Sequence, residues 1–330
     1  MRSVTLADVA KKAGVSIQTV SRVINGQAET SDATRKRVMQ AIIEVDYRPN
    51  SVARGLRNKE TFSVGVVVPK ITNPFFPEII QGIELAAAKA GYAVILSSSD
   101  EHVERETELV RVLDARRVDG IILCSPRQSE ASLRAGLSRY SAAVLINRSL
   151  EHEKVGIIKV NYAMGARIAL EYLVRLGRKN IVLAAIPETS YGGHERREGF
   201  LAGAMAHGFG DLQRAVYYGM PTVEGGTQTT TALLRDQPDV DGIVYYNDLT
   251  AAGGLLALRK ADRKVPTDVA IIGCDDIPFA ALFSPRLTTL NIDKQAIGIR
   301  AMEMLMRRMK GEVDEPEVIF EPELVIRETA

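Results

Sequence analysis

The chain has 330 residues, of which 46% are hydrophobic and 25% charged, and its formal net charge is +1. This composition is ordinary for a globular protein with two or three compact units, and no apolar run reaches the length that a membrane span requires. Two cysteines, Cys124 and Cys274, each end an apolar run, so we expect buried thiols rather than a disulfide framework. Together with the lack of an apolar amino-terminal signal segment, they predict a cytoplasmic protein without membrane partners.

Positive charge is concentrated at the amino-terminal end. Residues 1–60 contain 11 Lys/Arg and 6 Asp/Glu, a net charge of +5, so the rest of the chain is net negative. Lysine and arginine displace the counterions condensed on nucleic-acid phosphates, which makes this basic segment a candidate phosphate-binding surface. The candidate contacts are Lys11, Lys12, Arg35, Lys36 and Arg37. Any one of them alone could equally be an ordinary surface residue.

The first 45 residues predict three short helices. Thr5 is a favoured N-cap with Asp8 at the capping-box position of the first helix, Ser16 caps the second, and Ser31 caps the third. Apolar residues recur at helical spacing in each segment: Leu6, Val9, Ala10 and Ala13; Val20, Val23 and Ile24; Val38, Ala41, Ile42 and Val45. Two helices joined by a short glycine-containing turn are typical of a helix-turn-helix unit, whose second helix lies in the DNA major groove.

The outer face of the second helix carries side chains that can recognise bases. These side chains are Ile17, Gln18, Ser21 and Arg22. Arginine can donate two hydrogen bonds to guanine, glutamine can pair with adenine, and an apolar side chain can contact the thymine methyl group. An ordinary solvated face would explain an isolated pair of such residues, but the surrounding helix-turn-helix pattern favours base contact.

From residue 62 onwards, short runs of Val, Ile and Leu alternate with longer segments of helical periodicity. Runs such as "FSVGVVVP", "NIVLAAI" and "VAIIGCDD" are typical of parallel strands buried on both faces. About eight such strands predict an α/β architecture of two doubly wound lobes that divide near residue 160.

Several predicted strands end in polar residues. The strand ends are Ser97–Asp100, Ser125, Asn147–Arg148, Asn247–Asp248 and Asp275–Asp276. Ligands of open α/β sheets bind beyond the carboxyl ends of the strands, so we expect these residues to line a crevice between the lobes.

Several segments, in this order, resemble the lac repressor/galactose repressor family of bacterial transcription regulators. They are "TLADVAKKAGVSIQTVSRVING", "YRPNSVARGL", "ITNPFFPEIIQGIE", "GCDD" with "SPRLTTL", and "PELVIRETA". The resemblance implies an all-α helix-turn-helix domain at 1–49, a hinge helix and linker at 50–60, and a periplasmic-binding-protein-like core at 61–330. Chain crossings would make each lobe discontinuous. The implied lobe segments are about 61–160 and 291–319 for the first, and 161–290 and 320–330 for the second.

The resemblance also implies the functional residues. For the major groove they are Ile17, Gln18, Ser21 and Arg22, and for the DNA backbone Thr5, Ser16, Thr19 and Asn25. Paired hinge helices would present Asn50, Ala53, Arg54 and Leu56 to the minor groove, where an apolar wedge kinks the duplex. The implied effector-binding residues are Phe75, Phe76, Ser125, Asn147, Arg196, Asn247 and Asp275. Three alternatives stay open: a helix cap at Asp275, a surface salt bridge at Arg196, and a solvated linker at 50–58.

The chemistry of the implied effector residues suits a polyol. Aspartate accepts paired hydroxyl donors, arginine donates a planar fork, and an aromatic ring offers an apolar face. Lys70, Arg127 and Arg148 leave an acidic sugar open, and Asn147 stands where the family often has aspartate.

The function implied is that of a homodimeric repressor that leaves a palindromic operator when a small-molecule effector binds between the lobes. No cofactor or metal site is expected. A global catabolite regulator that uses a phosphorylated carrier protein, or a corepressor metabolite, stays open, as does a secreted sugar receptor. An enzyme is disfavoured because the chain lacks a phosphate-binding P-loop, a G-x-S-x-G elbow and an H-E-x-x-H motif.

Overall fold

The structure is a computed structural model, and it divides the chain into two compact units, Met1–Thr61 and Phe62–Ala330. The residues it describes are 4–24, 30–47, 60–187, 190–209, 214–312 and 315–330. Within these residues no helix is both long enough and apolar enough to cross a membrane. The predicted hinge helix at 50–58 lies outside the described residues.

The amino-terminal unit contains three helices, α1 (Leu6–Ala13), α2 (Ile17–Ile24) and α3 (Asp32–Glu44). The predicted caps are present: Thr5 and Asp8 form a capping box, and the Ser31 hydroxyl accepts from the Thr34 amide. Gly14 adopts the left-handed conformation (φ 63°) that the tight turn between α1 and α2 requires. The buried residues that join the helices are Val9, Ala10, Ala13, Val20, Val23, Val38 and Ala41.

The carboxy-terminal unit alternates strands with helices. Its helices are α4 (Phe75–Lys89), α5 (Val103–Ala115), α6 (Glu130–Leu137), α7 (Tyr162–Arg175), α8 (Tyr191–Ala206), α9 (Val223–Asp236), α10 (Asp248–Lys260) and α11 (Lys294–Met309). Its strands are β1 (Ser63–Val68), β2 (Ala93–Ser98), β3 (Gly120–Cys124), β4 (Ala143–Ile146), β5 (Val155–Val160), β6 (Ile181–Ala185), β7 (Val216–Tyr218), β8 (Gly242–Tyr245), β9 (Ala270–Asp275), β10 (Thr289–Asn291), β11 (Glu317–Phe320) and β12 (Glu323–Val325).

The twelve strands of the described residues form two six-stranded sheets. The first sheet has the order β11-β5-β4-β3-β1-β2, and all its neighbours run parallel. The second has the order β12-β10-β9-β8-β6-β7 and is parallel except at the β10–β12 edge. The central strands are fully buried because their continuous Val/Ile/Leu runs are covered by helices on both faces.

The chain passes between the two sheets more than once. It leaves the first sheet after Val160, returns to it through α11 after Asn291, and crosses again after Phe320 to add β12 to the second sheet. Both cysteines are free and buried, as predicted.

Three helix pairs of the core, α4–α11, α7–α8 and α9–α10, make the most extensive helix contacts. Glycine lies at each crossing, where an added Cβ atom would overlap a backbone carbonyl oxygen of the partner helix. These glycines are Gly82, Gly298, Gly199, Gly226 and Gly253. The helices of each pair are therefore in direct backbone contact.

Candidate functional site

Helix α2 presents one polar face in the amino-terminal unit. Val20 and Val23 are buried against the other helices, whereas Ile17, at 51% exposure, is on the surface with Gln18 and Arg22. Ser21 is partly buried on the same side. An exposed isoleucine flanked by long donor side chains has no role in the core of this unit, so this face is the candidate base-reading surface.

The start of α2 is tightly hydrogen-bonded. The Ser16 hydroxyl accepts from the Thr19 amide at 3.1 Å and shares a 2.9 Å hydrogen bond with the Thr19 hydroxyl. The Thr5 hydroxyl donates to Asp8 at 2.7 Å. These predicted backbone-contact residues thus lie at the amino-terminal ends of α1 and α2, where free amide groups attract phosphates. Asn25 lies outside the described residues, and so do the predicted hinge residues Asn50, Ala53, Arg54 and Leu56.

The carboxy-terminal unit has a cavity of about 290 Å³ beyond the carboxyl ends of strands from both sheets. Six of the predicted effector residues line it: Phe75, Phe76, Ser125, Arg196, Asn247 and Asp275. The rings of Phe75 and Phe76 meet edge to face at 5.3 Å. The cavity therefore brings charged, amide, hydroxyl and aromatic groups to one place.

Arg196 lies at the centre of the polar wall. It is 6% exposed, its Nη2 is 3.5 Å from Asp275 Oδ1, and it donates to Cys274 Sγ at 3.2 Å and to the Gly192 carbonyl at 3.0 Å. Its Nε is buried without a hydrogen-bond partner among the described residues. The surface salt bridge that the sequence left open for Arg196 is therefore wrong.

Two tyrosines that the sequence did not indicate flank this arginine. The guanidinium carbon is 3.7 Å from the centroid of the Tyr162 ring and 4.4 Å from that of Tyr246. Both tyrosines also line the cavity. Tyr246 directly follows β8 and Tyr162 follows β5 by two residues, so their place at strand carboxyl ends was the signal that could have identified them.

Asp275 ends β9 and is 5% exposed. Burial raises its pKa to about 6, although the charges of Arg196 and Lys294 oppose this shift. Burial also raises the pKa of the neighbouring Asp248, which accepts hydrogen bonds from the Thr289 hydroxyl and the Ile277 amide. Asp275 does not cap a helix, since its carboxylate faces Arg196. Ionised Asp275 can accept hydroxyl donors from a ligand.

The two predicted asparagines have different places. Asn247 lines the cavity, and its side chain also caps α10 by accepting from the Thr250 amide at 2.9 Å. Asn147 is not among the lining residues, because both ends of its amide are used below the surface. Its Nδ2 donates to the Tyr162 hydroxyl and its Oδ1 accepts from the Val160 amide, both at 3.0 Å. In this structure Asn147 therefore supports Tyr162 and does not line the cavity.

The basic residues on the first-sheet side have acidic or backbone partners. Arg127 lies 2.9 Å from Glu101, and Lys70 lies 3.2 Å from Asp100. Both cations line the cavity, whereas Arg148 lies outside it and donates to a backbone carbonyl. The charges at the mouth are balanced within the protein, and this arrangement suits a ligand that offers hydroxyl groups.

A larger pocket, of about 530 Å³, lies beside β6 and the end of α8. Its lining includes Arg178, Lys179 and Arg214 but none of the predicted effector residues. Because six of the predicted effector residues line the smaller cavity instead, the smaller cavity is the better supported ligand site.

Comparison with known proteins gives matches along nearly the whole chain. Residues 5–50 match the family described as bacterial regulatory proteins, lacI family, and residues 61–328 match periplasmic binding proteins and sugar binding domain of LacI family. The chain is 32% identical to the ribose operon repressor of Halalkalibacterium halodurans over 329 residues, which is 98% of this chain and 96% of that protein. It is 34% identical to the transcriptional repressor PurR of Vibrio parahaemolyticus over 335 residues, or 98% of each. The lac repressor dimer bound to operator and the anti-inducer ONPF superposes with a TM-score of 0.91 at 28% identity, covering 99% of both chains.

Proposed function

The chain belongs to the LacI family of bacterial regulatory proteins and is a DNA-binding transcriptional regulator, not an enzyme, and we propose that it represses genes of carbohydrate or sugar-acid metabolism. In this proposal a homodimer binds a palindromic operator, and a small-molecule effector in the cavity lined by Arg196 and Asp275 releases it.

The observation that carries the effector proposal is the buried Arg196–Asp275 pair beside aromatic rings. A sugar offers hydroxyl groups at its edge and C–H groups on its face, and this wall offers acceptors, donors and rings within one cavity. The relative named as a ribose operon repressor supports a carbohydrate. A sugar acid would have to compete with Asp100 and Glu101 for Lys70 and Arg127, which line the same cavity.

The proposed DNA contacts follow from the helix ends and the polar face of the amino-terminal unit. Ile17, Gln18, Ser21 and Arg22 would read bases in the major groove, and Thr5, Ser16, Thr19 and Asn25 would contact the backbone. The hinge residues proposed for the minor groove are Asn50, Ala53, Arg54 and Leu56.

We also propose domain limits at 1–49, 50–60 and 61–330. We further propose that the protein is cytoplasmic and is associated with the nucleoid when it is bound to its operator, because a regulator that binds genomic DNA acts where that DNA is held.

The effector proposal is tested by thermal unfolding of the full chain with sugars, sugar acids and sugar phosphates, starting with D-ribose. A ligand at 100 times its Kd stabilises the folded state by about 2.7 kcal/mol, which is an observable shift. We expect at least one sugar or sugar acid to raise the unfolding temperature of the wild type but not of Asp275→Ala. No shift with any of these compounds would contradict a carbohydrate effector, and an equal shift in Asp275→Ala would place the effector elsewhere.

A further inference from the structure

One buried lysine contacts structural elements of both sheets. Lys294, the first residue of α11, is 3% exposed, and its Nζ donates to the Asp275 carbonyl at 2.6 Å and to the Asp276 carbonyl at 3.2 Å. The same Nζ lies 3.6 Å from the Glu78 carboxylate of α4. Asp275 ends a strand of the second sheet, whereas α4 and α11 pack on the first. The Lys294 ammonium group therefore links the end of a strand in the second sheet to a helix that packs on the first sheet.

The backbone that Lys294 holds is in an unfavourable conformation. Asp275 and Asp276 have φ angles of 107° and 46°, in the left-handed region that residues with a Cβ atom rarely adopt. Such a conformation persists only where surrounding interactions hold it. Lys294 Nζ donates to the carbonyls of both residues, and the Asp276 side chain is held 2.7 Å from Arg327. These contacts fix the direction of the Asp275 carboxylate.

The helix that carries Lys294 is closely joined to α4. Gly82 of α4 approaches the Gln295 carbonyl, and Gly298 of α11 approaches the Ile79 carbonyl, so closely that neither position has room for a Cβ atom. The amino-terminal end of α4 begins with Phe75 and Phe76 at the cavity wall. A shift of α11 relative to the second sheet therefore moves this aromatic wall as well.

We propose that Lys294 is a positioning residue that ties the Asp275 wall of the cavity to the Phe75–Phe76 wall, so that the two walls move together. Through Glu78 it holds α4, and through the two carbonyls it holds the end of β9. The regulatory role of Lys294 rests on the proposed effector role of the cavity. The contacts that join the two walls are present without a ligand.

Electrostatics give this link a measurable signature. The charged groups around Lys294 and Asp275 are Glu78 from α4, Arg196 from α8, Asp248 from α10, Asp276 and Arg327 near the second sheet, and Asp293 at the start of α11. Burial raises the pKa of both Asp275 and Glu78, and the Lys294 charge opposes both shifts. Removing that charge must raise both pKa values further.

The sign of the resulting pH dependence follows from linkage. A carboxyl whose pKa is raised on folding contributes stability that is present below its unfolded-state pKa and is lost as the pH rises through its folded-state pKa. For Asp275 that loss runs from the ordinary value of 3.8 to about 6 in the wild type. In Lys294→Met the folded-state pKa of Asp275 moves above 6. The variant therefore continues to lose stability at pH values where the stability of the wild type no longer changes.

The test compares Lys294→Met with Lys294→Arg, Glu78→Gln and the matched control Lys310→Met, all as full chains. Lys310 caps the other end of α11 and is exposed, so its substitution removes a lysine from the same helix without touching the cavity. Hydrogen exchange is followed in peptides covering residues 75–80 and 275–279. Urea unfolding is measured from pH 5 to 8.

We expect Lys294→Met to speed exchange about tenfold or more in both peptides. The unfolding equilibrium constant of Lys294→Met, divided by that of the wild type, should rise between pH 6 and 8. The rise should be about tenfold for each unit by which the substitution raises the pKa of Asp275. Glu78→Gln should speed exchange in 275–279 as well, because it weakens the contact between Glu78 and Lys294, even though it also removes a negative charge that opposes Asp275 and Asp276. Lys294→Arg should restore most of the protection and the wild-type pH profile, and Lys310→Met should match the wild type throughout.

The proposal is overturned if Lys294→Met changes only residues 275–279, or if its loss of stability is independent of pH, since the lysine would then be a local backbone support. It is also overturned if Glu78→Gln leaves 275–279 unchanged. Because no ligand is added, these outcomes are independent of whether any sugar shifts the unfolding temperature.

Discussion

Arg196 is held in the cavity by aromatic rings as well as by charge. Its guanidinium carbon lies 3.7 Å and 4.4 Å from the centroids of two tyrosine rings, and its Nη2 lies 3.5 Å from Asp275 Oδ1. A cation on a desolvated aromatic face gains about 2 kcal/mol or more, so the rings offset part of the cost of burying it. The stacking also fixes the plane of the guanidinium and hence the directions of its donors.

The DNA-reading role of Arg22 is testable at the level of one side chain. If Arg22 donates two hydrogen bonds to a guanine, Arg22→Ala should weaken operator binding by about 1–3 kcal/mol and relax the preference at one base pair. The measurement is a titration of the full chain with an operator selected from random duplexes, repeated with each base substituted at every position.

Lys11→Ala is the comparison for this prediction. Lys11 is an exposed candidate for phosphate contact, so its loss should weaken binding to all sequences alike and lower the salt dependence by about one ion. An Arg22→Ala protein with unchanged affinity and unchanged base preference would remove Arg22 from the reading surface.

The strand-end rule predicts three polar residues of the cavity, but it also indicated Ser97–Asp100, Asp248 and Asp276, which do not line it. Ser125, Asn247 and Asp275 could be identified because each follows an apolar run, and they line the cavity. Arg196 came from the family resemblance alone, since it lies within α8. The stacking of Arg196 on the Tyr162 ring and the turn of Asn147 away from the cavity depend on side-chain packing, which a linear pattern does not contain.

At the scale of elements, the core depends on helices that touch through glycine. The backbone of α4 at Gly82 meets a carbonyl of α11, and the α7–α8 and α9–α10 pairs repeat this arrangement. A glycine inside a helix lowers helix stability by about 1 kcal/mol relative to alanine. The close packing of the two helices that glycine permits must therefore offset the lower helix stability that glycine causes.

Gly82→Ala should therefore destabilise the protein, although alanine is the better helix former. Its methyl group would overlap the Gln295 carbonyl, and a backbone cannot relax as a side chain can, so we expect a loss of about 3 kcal/mol. Urea unfolding followed by circular dichroism measures it. In the matched control Gly136→Ala, the added carbon meets only a Val110 methyl at 3.3 Å, and near-neutral stability is expected. Equal effects of the two substitutions would show that the helix contact is loose.

The long elements were predictable and the short ones were not. Eight apolar runs indicated β1–β6, β8 and β9, whereas β7, β10, β11 and β12, of three or four residues each, were not among them. Their strand conformation depends on pairing with a neighbouring strand, such as β5 for β11. The family resemblance, rather than periodicity, implied that the chain returns to the first sheet after residue 291.

At the scale of the whole molecule, the chain combines a DNA-binding unit with a unit in which both sheets contribute residues to one cavity. Each sheet contains a strand from beyond residue 291, so neither lobe is complete without the carboxy-terminal segment. A ligand that contacts residues of both lobes can favour one arrangement of the two sheets over another. An effect on DNA then requires that the arrangements differ in operator affinity.

Effector binding and operator binding must therefore affect each other reciprocally. If the effector weakens operator binding by a given factor, operator must weaken effector binding by the same factor, typically about 5- to 150-fold. We expect calorimetric titration of the effector found by thermal unfolding to give a weaker Kd when the full chain is saturated with operator duplex. A scrambled duplex at the same concentration is the control and should leave the Kd unchanged. A tighter Kd in the presence of operator would make the ligand a corepressor, and an unchanged Kd would show that it does not regulate DNA binding.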